Sequence, residues 1–353
     1  MIKVLGLALY GPLAASTRYR LGQYVPGLAL QGIDLHIVHL LGDDYLLRRF
    51  TGRSLPITAM VQAGFARFVD LLGQHRYDLV MVYCELFPLF PAWLERALIR
   101  KPYIYDFDDA FYLKYRLGRL GMARTFLGRK FESVMAGAAA VTAGNNLLAQ
   151  YSRQFKSNTF YLPTVVDTSR YVSHMSDRSD KVFTVGWIGS PSTAQYLSLL
   201  VEPLSAIGLD GPVQFIVIGG KAPVIPNVSV VEIEWNEDTE VDLINSFDVG
   251  VMPLPDDDWA QGKCAFKLIQ YMACAVPVVA SPVGANSDVI TAESGCMAST
   301  SEEWIDKLRL LRDSPDIRVS MGQASMKRIV EYYSLSSNLP ILADVIHQVA
   351  EKK

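Results

Sequence analysis

The run Phe247–Ile290, FDVGVMPLPDDDWAQGKCAFKLIQYMACAVPVVASPVGANSDVI, switches period twice within forty-odd residues. Phe247–Pro253 and Val276–Ser281 are short apolar stretches, apolar on both faces as buried parallel strands are. Between them, Leu254–Gly262 carries prolines, three consecutive aspartates and a glycine, which reads as a loop. Lys263–Cys274 has helical spacing. Strand, loop, helix and strand in this order make a βαβ unit. Lys263, Lys267 and Gln270 are spaced by four and three, so they are expected on one helix face. Two lysines at a helix start, beside Gly262 and past the end of a parallel strand, make a cationic pocket suited to a diphosphate. Without an anion, lysines there oppose the helix dipole. The competing reading is a solvated basic stripe.

The same alternation extends outward in both directions. Strands are expected at 2–9, 34–40, 78–84, 103–106 and 138–143, with helices near 16–31, 57–74, 90–99 and 117–136. After the polar run SHMSDRSDK at 173–181, a second series follows. Its strands lie near 182–188, 213–219, 228–233, 247–253 and 276–280, and its helices near 192–207, 239–246, 264–274, 302–313 and 317–332. The expected organisation is a first α/β domain over 1–172, a second over 182–335, and a terminal helix, 336–353, packing back on the first. Ligands of such pairs bind at the C-terminal ends of the strands, between the domains.

The composition fits this and narrows the function. The 353 residues are 50% hydrophobic, enough for two full cores, and Lys+Arg 33 against Asp+Glu 36 leaves a net charge of −3, which argues against a nucleic-acid partner. Cys84, Cys264, Cys274 and Cys296 form no C-x-x-C pair, and the five histidines form no ligand motif, so no metal is expected and a reducing compartment is. No apolar run is long enough to span a bilayer. Met1-Ile2-Lys3 followed by VLGLALYGPLAAS has the outline of a signal peptide. A single basic residue and a helix with a Ser/Thr cap directly after it favour a buried first strand ending at Gly11-Pro12.

Other motifs sit at the ends of expected strands. Gly189 and Ser190, in GWIGSPST, offer small residues and a helix N-terminus to a phosphate, or are an ordinary capped turn. Asp106-Phe107-Asp108-Asp109 crowds carboxylates directly after 103–105, as a catalytic base, a hydroxyl acceptor or a metal ligand would require, or as a loop with a helix cap. Arg18 and Arg20 open the first helix and are read as an anion clamp or a surface helix start. Asp256-Asp257-Asp258 with Trp259 fits a sugar contact or a solvated loop. The mixed segment Tyr112–Leu120 fits a peripheral membrane contact or an ordinary amphipathic helix.

Several of these stretches resemble one family, the retaining GT-B glycosyltransferases of glycosyltransferase family 4 (glycosyl transferases group 1). KLIQYMACAVPVVAS is similar to its E-A-M-A-x-G-x-P-V-V-A-S signature, and SPVGANSDVI to its G-G-x-x-E-V-I loop. GWIGSPST resembles the first strand–turn of its second domain. VTAGNNLLAQY and LPTVVDTSRY resemble its V-T-x-S-x-x-L and P-N-G-V-D-x-x-x-F elements. The resemblance implies two facing Rossmann-like domains with a cleft between them, and transfer of a sugar from a nucleotide-diphosphate sugar to a hydroxyl acceptor with retention. It goes with no cofactor and a glycan or lipid-linked acceptor; the expected location is cytoplasmic, peripheral at the inner face of the membrane only on the membrane-contact reading of Tyr112–Leu120.

By position, the resemblance makes Lys263 and Lys267 the diphosphate ligands, with Lys267 also acting in catalysis. Gln270 falls at the second glutamate of the Glu-x7-Glu motif and Gly262 at the first. Asn286 and Asp288 fall near the sugar or phosphates, and Asp106 or Asp108 near the acceptor. Arg18, Arg20 and Asp109 complete the expected phosphate and acceptor side. The missing carboxylates keep open a non-catalytic sugar- or nucleotide-binding protein on the same fold; a second rival is another enzyme of that fold, a nucleotide-sugar epimerase.

Overall fold

The computed structural model describes residues 1–50, 52–54, 56–117, 126–173 and 182–351. The expected linker falls outside the described residues from 174 to 181, as do 118–120 of the mixed segment. The chain divides into two compact units. One comprises Met1–Val165, Gly262–Cys264 and Leu335–Lys353, and the other Val166–Gln261 and Ala265–Ser334.

The first unit is a six-stranded parallel sheet in the order β2-β1-β3-β4-β5-β6. Its strands are β1 Ile2–Tyr10, β2 Ile33–Leu41, β3 Leu79–Tyr83, β4 Tyr103–Phe107, β5 Ala140–Ala143 and β6 Thr159–Tyr161. The helices are α1 Ala15–Arg20, α2 Val25–Leu30, α3 Asp43–Phe50, α4 Ile57–Leu72, α5 Ala92–Leu98, α6 Lys114–Leu117, α7 Lys130–Gly137 and α8 Asn146–Arg153. β1, β3 and β4 are buried on both faces, which is why they read as unbroken apolar runs. The stretch 16–31, expected as one helix, is interrupted at Leu21, and Pro26 sits in the first turn of its second half, where a missing N–H costs nothing. The Ser/Thr cap expected for α1 is not used. Ala14 occupies the cap position, and Thr17 Oγ1 donates to Tyr10 O.

The second unit has β7 Phe183–Ile188, β8 Val213–Ile218, β9 Ser229–Ile233, β10 Val249–Met252, β11 Val278–Ala280 and β12 Gly295–Met297. Their order is β12-β11-β10-β7-β8-β9, again all parallel. This is the doubly wound order, with its switch point between β7 and β10. Its helices are α9 Pro191–Ala194, α10 Val201–Asp210, α11 Glu240–Ile244, α12 Asp258–Gln261, α13 Phe266–Ala273, α14 Asn286–Val289, α15 Ser301–Asp313 and α16 Pro315–Tyr332. Trp187, Phe215, Val217, Val249, Val251 and Trp304 belong to its core. The last helix, α17 Leu335–Glu351, packs on α2 and β4 of the first unit.

The central contact of the second unit is made possible by two glycines. Gly186 of β7 and Gly250 of β10 are register partners. A Cβ on Gly250 would lie 2.3 Å from the Tyr271 ring, and one on Gly186 2.1 Å from the Phe247 ring. The two rings meet edge to face at 6.0 Å. Tyr271 is fully buried, and its hydroxyl accepts the Ile188 N–H at 2.9 Å. Helix α13 therefore lies directly on bare backbone. We expect Gly250→Ala to cost about 1–3 kcal/mol, because the core must give way around the ring. Urea denaturation of wild type and variant measures it.

Candidate functional site

The switch point in the second unit marks where a ligand of such a sheet binds, past the carboxyl ends of β7 and β10. β7 delivers Gly189 and Ser190 there. Gly219, at φ 75°, brings its backbone so close that a Cβ would lie 2.5 Å from Gly189 O. Across from them, α13 is entered through Ala265, a non-glycine residue at φ 54°. Such backbone is uncommon for a residue with a side chain and is held only where surrounding packing over-determines it. Lys267, in the first turn of α13, extends over this glycine floor. Its Cε lies 2.6 Å from where a Gly189 Cβ would stand, and its Nζ is 5.5 Å from the centroid of the Trp187 ring.

The helix starts three residues later than expected, so Lys263 is not on the Lys267 face. The αL residue Ala265 ends the approaching loop and breaks the spacing on which the shared face was read. Lys263 is grouped with the first unit, where its Nζ stands 3.6 Å from Asp109 Oδ2. Ser190 precedes α9 without capping it; its hydroxyl pairs with that of Ser192 at 2.8 Å.

Gln270 is buried, and its role is visible in its partners. Its Nε2 donates to Tyr171 Oη at 3.1 Å and to Glu240 Oε1 at 3.3 Å. Tyr171 Oη donates to Glu240 Oε1 at 2.9 Å, and Trp235 Nε1 to Glu240 Oε2 at 2.8 Å. The carboxylate of Glu240 is thus satisfied at both oxygens while 2% exposed. A neutral donor at 270 completes this set; a second carboxylate would repel it. Asn286, 1% exposed, donates from Nδ2 to Ser281 O at 2.9 Å. Asp288 is exposed on α14, and its carbonyl accepts from Arg328 Nη2 at 2.7 Å. Asp257 Oδ1 caps α12 through the Ala260 N–H at 2.7 Å, and Asp256 Oδ1 accepts from Gln261 Nε2 at 2.5 Å.

In the first unit, β4 carries the acidic run to the sheet's carboxyl edge and separates its members. Asp106 is fully buried. Arg20 grips it through Nε, 3.0 Å from Oδ2, and through Nη2 on Oδ1, and Thr142 Oγ1 donates to Oδ1 at 2.6 Å. Arg20 also donates to Leu162 O at 2.6 Å. This differs from the sequence reading of both residues: Arg20 is an internal partner, 1% exposed, and Asp106 is its counter-charge. The cause is tertiary, since α1 and β4 meet eighty-six residues apart in sequence. Arg18 Nη1 donates to Pro12 O and Leu13 O at 3.0 and 2.9 Å.

Asp108 and Asp109 remain at the edge. Tyr83 Oη donates to Asp108 Oδ1 at 2.6 Å. Burial raises the Asp108 carboxyl above the usual range, against the pull of Arg20 and of the Tyr83 hydrogen bond. Burial pushes Asp109 up to about 6, with Lys263 acting the other way. Cys264 Sγ donates to Asp108 O at 2.8 Å. Gly262 lies so near Ala110 that a Cβ would come 2.4 Å from the Ala110 Cβ, so the backbone here leaves no room for a side chain.

The described part of the mixed segment is not an apolar outer face. Tyr112 and Tyr115 are buried, stacked on Tyr151 at 3.9 Å and on Phe131 at 5.8 Å. Lys114 Nζ and Tyr115 Oη are both held by the buried Glu85. Glu240, Tyr171, Trp235, Tyr83 and Thr142 are partners that sequence reasoning missed. Tyr171 lies in a stretch that drew notice, but nothing local marks Glu240 as the partner of a residue thirty positions on. Among the described residues no group of three or more His, Cys, Asp and Glu could hold a metal ion, and no helix is long and apolar enough to cross a membrane.

Comparison with known proteins bears on the fold and on the second half of the chain. Residues 181–313 match the family model described as Glycosyl transferases group 1. No curated protein matches the chain by sequence. Among solved structures, sucrose-phosphate synthase from Thermosynechococcus elongatus is similar over 100% of both chains, at TM-score 0.73 and 13% identity. The Anabaena protein HepE, solved with UDP-glucose, is similar at TM-score 0.67 and 14% identity over 100% of this chain and 99% of its own. WaaG, a glycosyltransferase involved in lipopolysaccharide biosynthesis, reaches 0.68 at 14% identity over 98% and 99%. The fold is therefore that of the GT-B glycosyltransferases, α/β with two six-stranded parallel sheets. The family match to the second unit and this fold support a glycosyltransferase function.

Two outcomes test the electrostatics. Gln270→Glu places a second carboxyl against Glu240, and its folded-state pKa will rise. The variant's loss of stability is then present at neutral and higher pH and vanishes as pH falls below the ordinary carboxylate range. We expect about 2–3 kcal/mol at pH 8, closing toward pH 4 in thermal melts. Asp109 holds its proton more tightly folded than unfolded, so it costs nothing below about pH 4 and its full penalty appears above about pH 6. Asp109→Asn should therefore be more stable than wild type at pH 8, by on the order of 1 kcal/mol, and equal to it near pH 4. Chemical denaturation at both pH values reads the difference.

Proposed function

We propose that the protein transfers a sugar from a nucleotide-diphosphate sugar to a hydroxyl acceptor, a glycan or a lipid-linked compound, with retention at the anomeric carbon, as in glycosyltransferase family 4. The observation that carries this reading is the extension of Lys267 across the bare backbone of Gly189 at the switch point of the second unit. A small-residue floor, one cation and the first N–H groups of α13 are what a diphosphate needs. The similar fold of HepE, which was solved with UDP-glucose, supports a donor of that class.

In this mechanism the bond from the anomeric carbon to the diphosphate oxygen breaks first, and negative charge grows on the leaving group. Lys267 acts where that charge develops, stabilising the transition state more than the bound donor. The acceptor hydroxyl attacks from the same face, and its proton passes to the departing phosphate oxygen. Asp108, aimed by Tyr83, orients the acceptor; Asp109 and Lys263 lie beside it. Asp106 and Arg20 hold the edge of the sheet and touch no substrate. Asn286 and Gln270 act by fixing the loop and helix that carry the donor pocket.

Removing Lys267 tests this directly. Lys267→Ala should lower kcat/KM by about a hundredfold or more, by the measure of other electrostatic stabilisers of a transition state. Nucleoside diphosphate binding by calorimetry should weaken in parallel, while the melting temperature without ligand stays unchanged. Full turnover and donor affinity in the variant would remove the assignment. Binding of a nucleotide sugar by wild type with neither transfer nor hydrolysis would instead favour the non-catalytic binding protein.

A further inference from the structure

Helix α4 is built inside out. Its sixteen residues, ITAMVQAGFARFVDLL, contain two charged side chains, Arg67 and Asp70. Arg67 points inward, 1% exposed, and its Nη2 donates to Ala8 O of β1. The outer side carries Ile57, Val61, Phe65, Phe68, Val69 and Leu72, every one of them exposed, with Phe65 at 69% and Ile57 at 79%. At 100° per residue these six fall within one arc of about 120°, which only Thr58 in the first turn shares, and the helix is about 24 Å long. A contiguous apolar face of that size is an interaction surface.

The surroundings of the arc are cationic. Arg53 precedes the helix and Arg76 follows it, both exposed. Gln74 then ties this end to the next feature. Its Nε2 donates to Leu98 O at 2.9 Å, and its Oε1 accepts the Arg100 N–H at 2.8 Å. Arg100 opens a concavity that Arg96, Lys101, Tyr103 and Gly137 also line. One turn before Arg96, on α5, Trp93 is 70% exposed. An apolar helix, a tryptophan and a bed of arginine and lysine are the parts with which a protein lies on an anionic lipid surface. The apolar face enters the acyl boundary, the indole sits at headgroup level and the cations meet phosphate.

We propose that α4, together with the Arg96–Arg100–Lys101 concavity, docks the protein on an anionic phospholipid bilayer. A second copy of the chain fits less well, because a two-fold contact through the arc would bring the flanking arginines toward their own copies. The proposal does not depend on the sugar-transfer reading, and it places lipid contact on α4 and not on Tyr112–Leu120.

Co-sedimentation of the full chain with vesicles tests it. Wild type should bind vesicles of phosphatidylcholine mixed with phosphatidylglycerol, bind pure phosphatidylcholine far more weakly, and lose binding in high salt. Phe65→Glu, at an exposed position that leaves the core intact, should weaken partitioning about tenfold or more. Arg100→Gln with Lys101→Gln should weaken it about fivefold for each cation removed. Circular dichroism and melting curves matching wild type show that both variants fold. Absence of wild-type binding to anionic vesicles, or equal binding by Phe65→Glu, overturns the proposal. So does a wild-type dimer in light scattering that Phe65→Glu converts to monomer, which would make the arc a self-association face.

Discussion

The packing of Tyr271 and Phe247 on the paired glycines of β7 and β10 is the constraint on which the second unit depends. Without side chains at Gly186 and Gly250, the aromatic rings lie on the backbone itself, and the Tyr271 hydroxyl takes up the last N–H of β7. That contact sets the height of α13 above the sheet. Lys267 precedes Tyr271 by one helical turn, so the same contact determines where its ammonium group lies. A core contact thereby positions the cation proposed to meet the donor diphosphate, and the rigid sheet holds it in place.

The two units treat buried carboxylates differently. Asp106 and Glu240 are enclosed and fully partnered, by Arg20 and Thr142 in one case and by Tyr171, Trp235 and Gln270 in the other. Such groups hold elements together and are too well satisfied to do chemistry. Asp108 and Asp109 are partly desolvated and less completely compensated, and their affinity for protons rises accordingly. Adjacent residues on one strand end thus divide into a structural carboxylate and two responsive ones. The division follows pleat and depth, with Asp106 facing the interior and its successors lying past the strand's last paired residue.

The legibility of the site follows the range of its contacts. Strands such as β1 and β3 were readable because both faces are apolar. The edge strands β6 and β12, three residues each, are too short to show a period. Lys267, Gly189 and the acidic run stood out because parallel strands end in predictable places. The shared face of Lys263 and Lys267 failed because Ala265 adopts a left-handed conformation that no residue type there announces. Arg20 looked like an anion clamp because its partner, Asp106, is remote in sequence.

By itself, the sequence determined the alternation of strands and helices, the doubled α/β architecture and the positions where strands end, because these rest on local periodicity and turn chemistry. Tertiary structure alone decided which polar and charged groups are available. Arg20 and Gln270 were committed to the interior by partners brought in from distant elements, and Asp108 and Asp109 were left responsive. Hydrogen bonds and desolvation depend on what lies within a few ångströms in space, and the chain brings those neighbours together only when the sheets close.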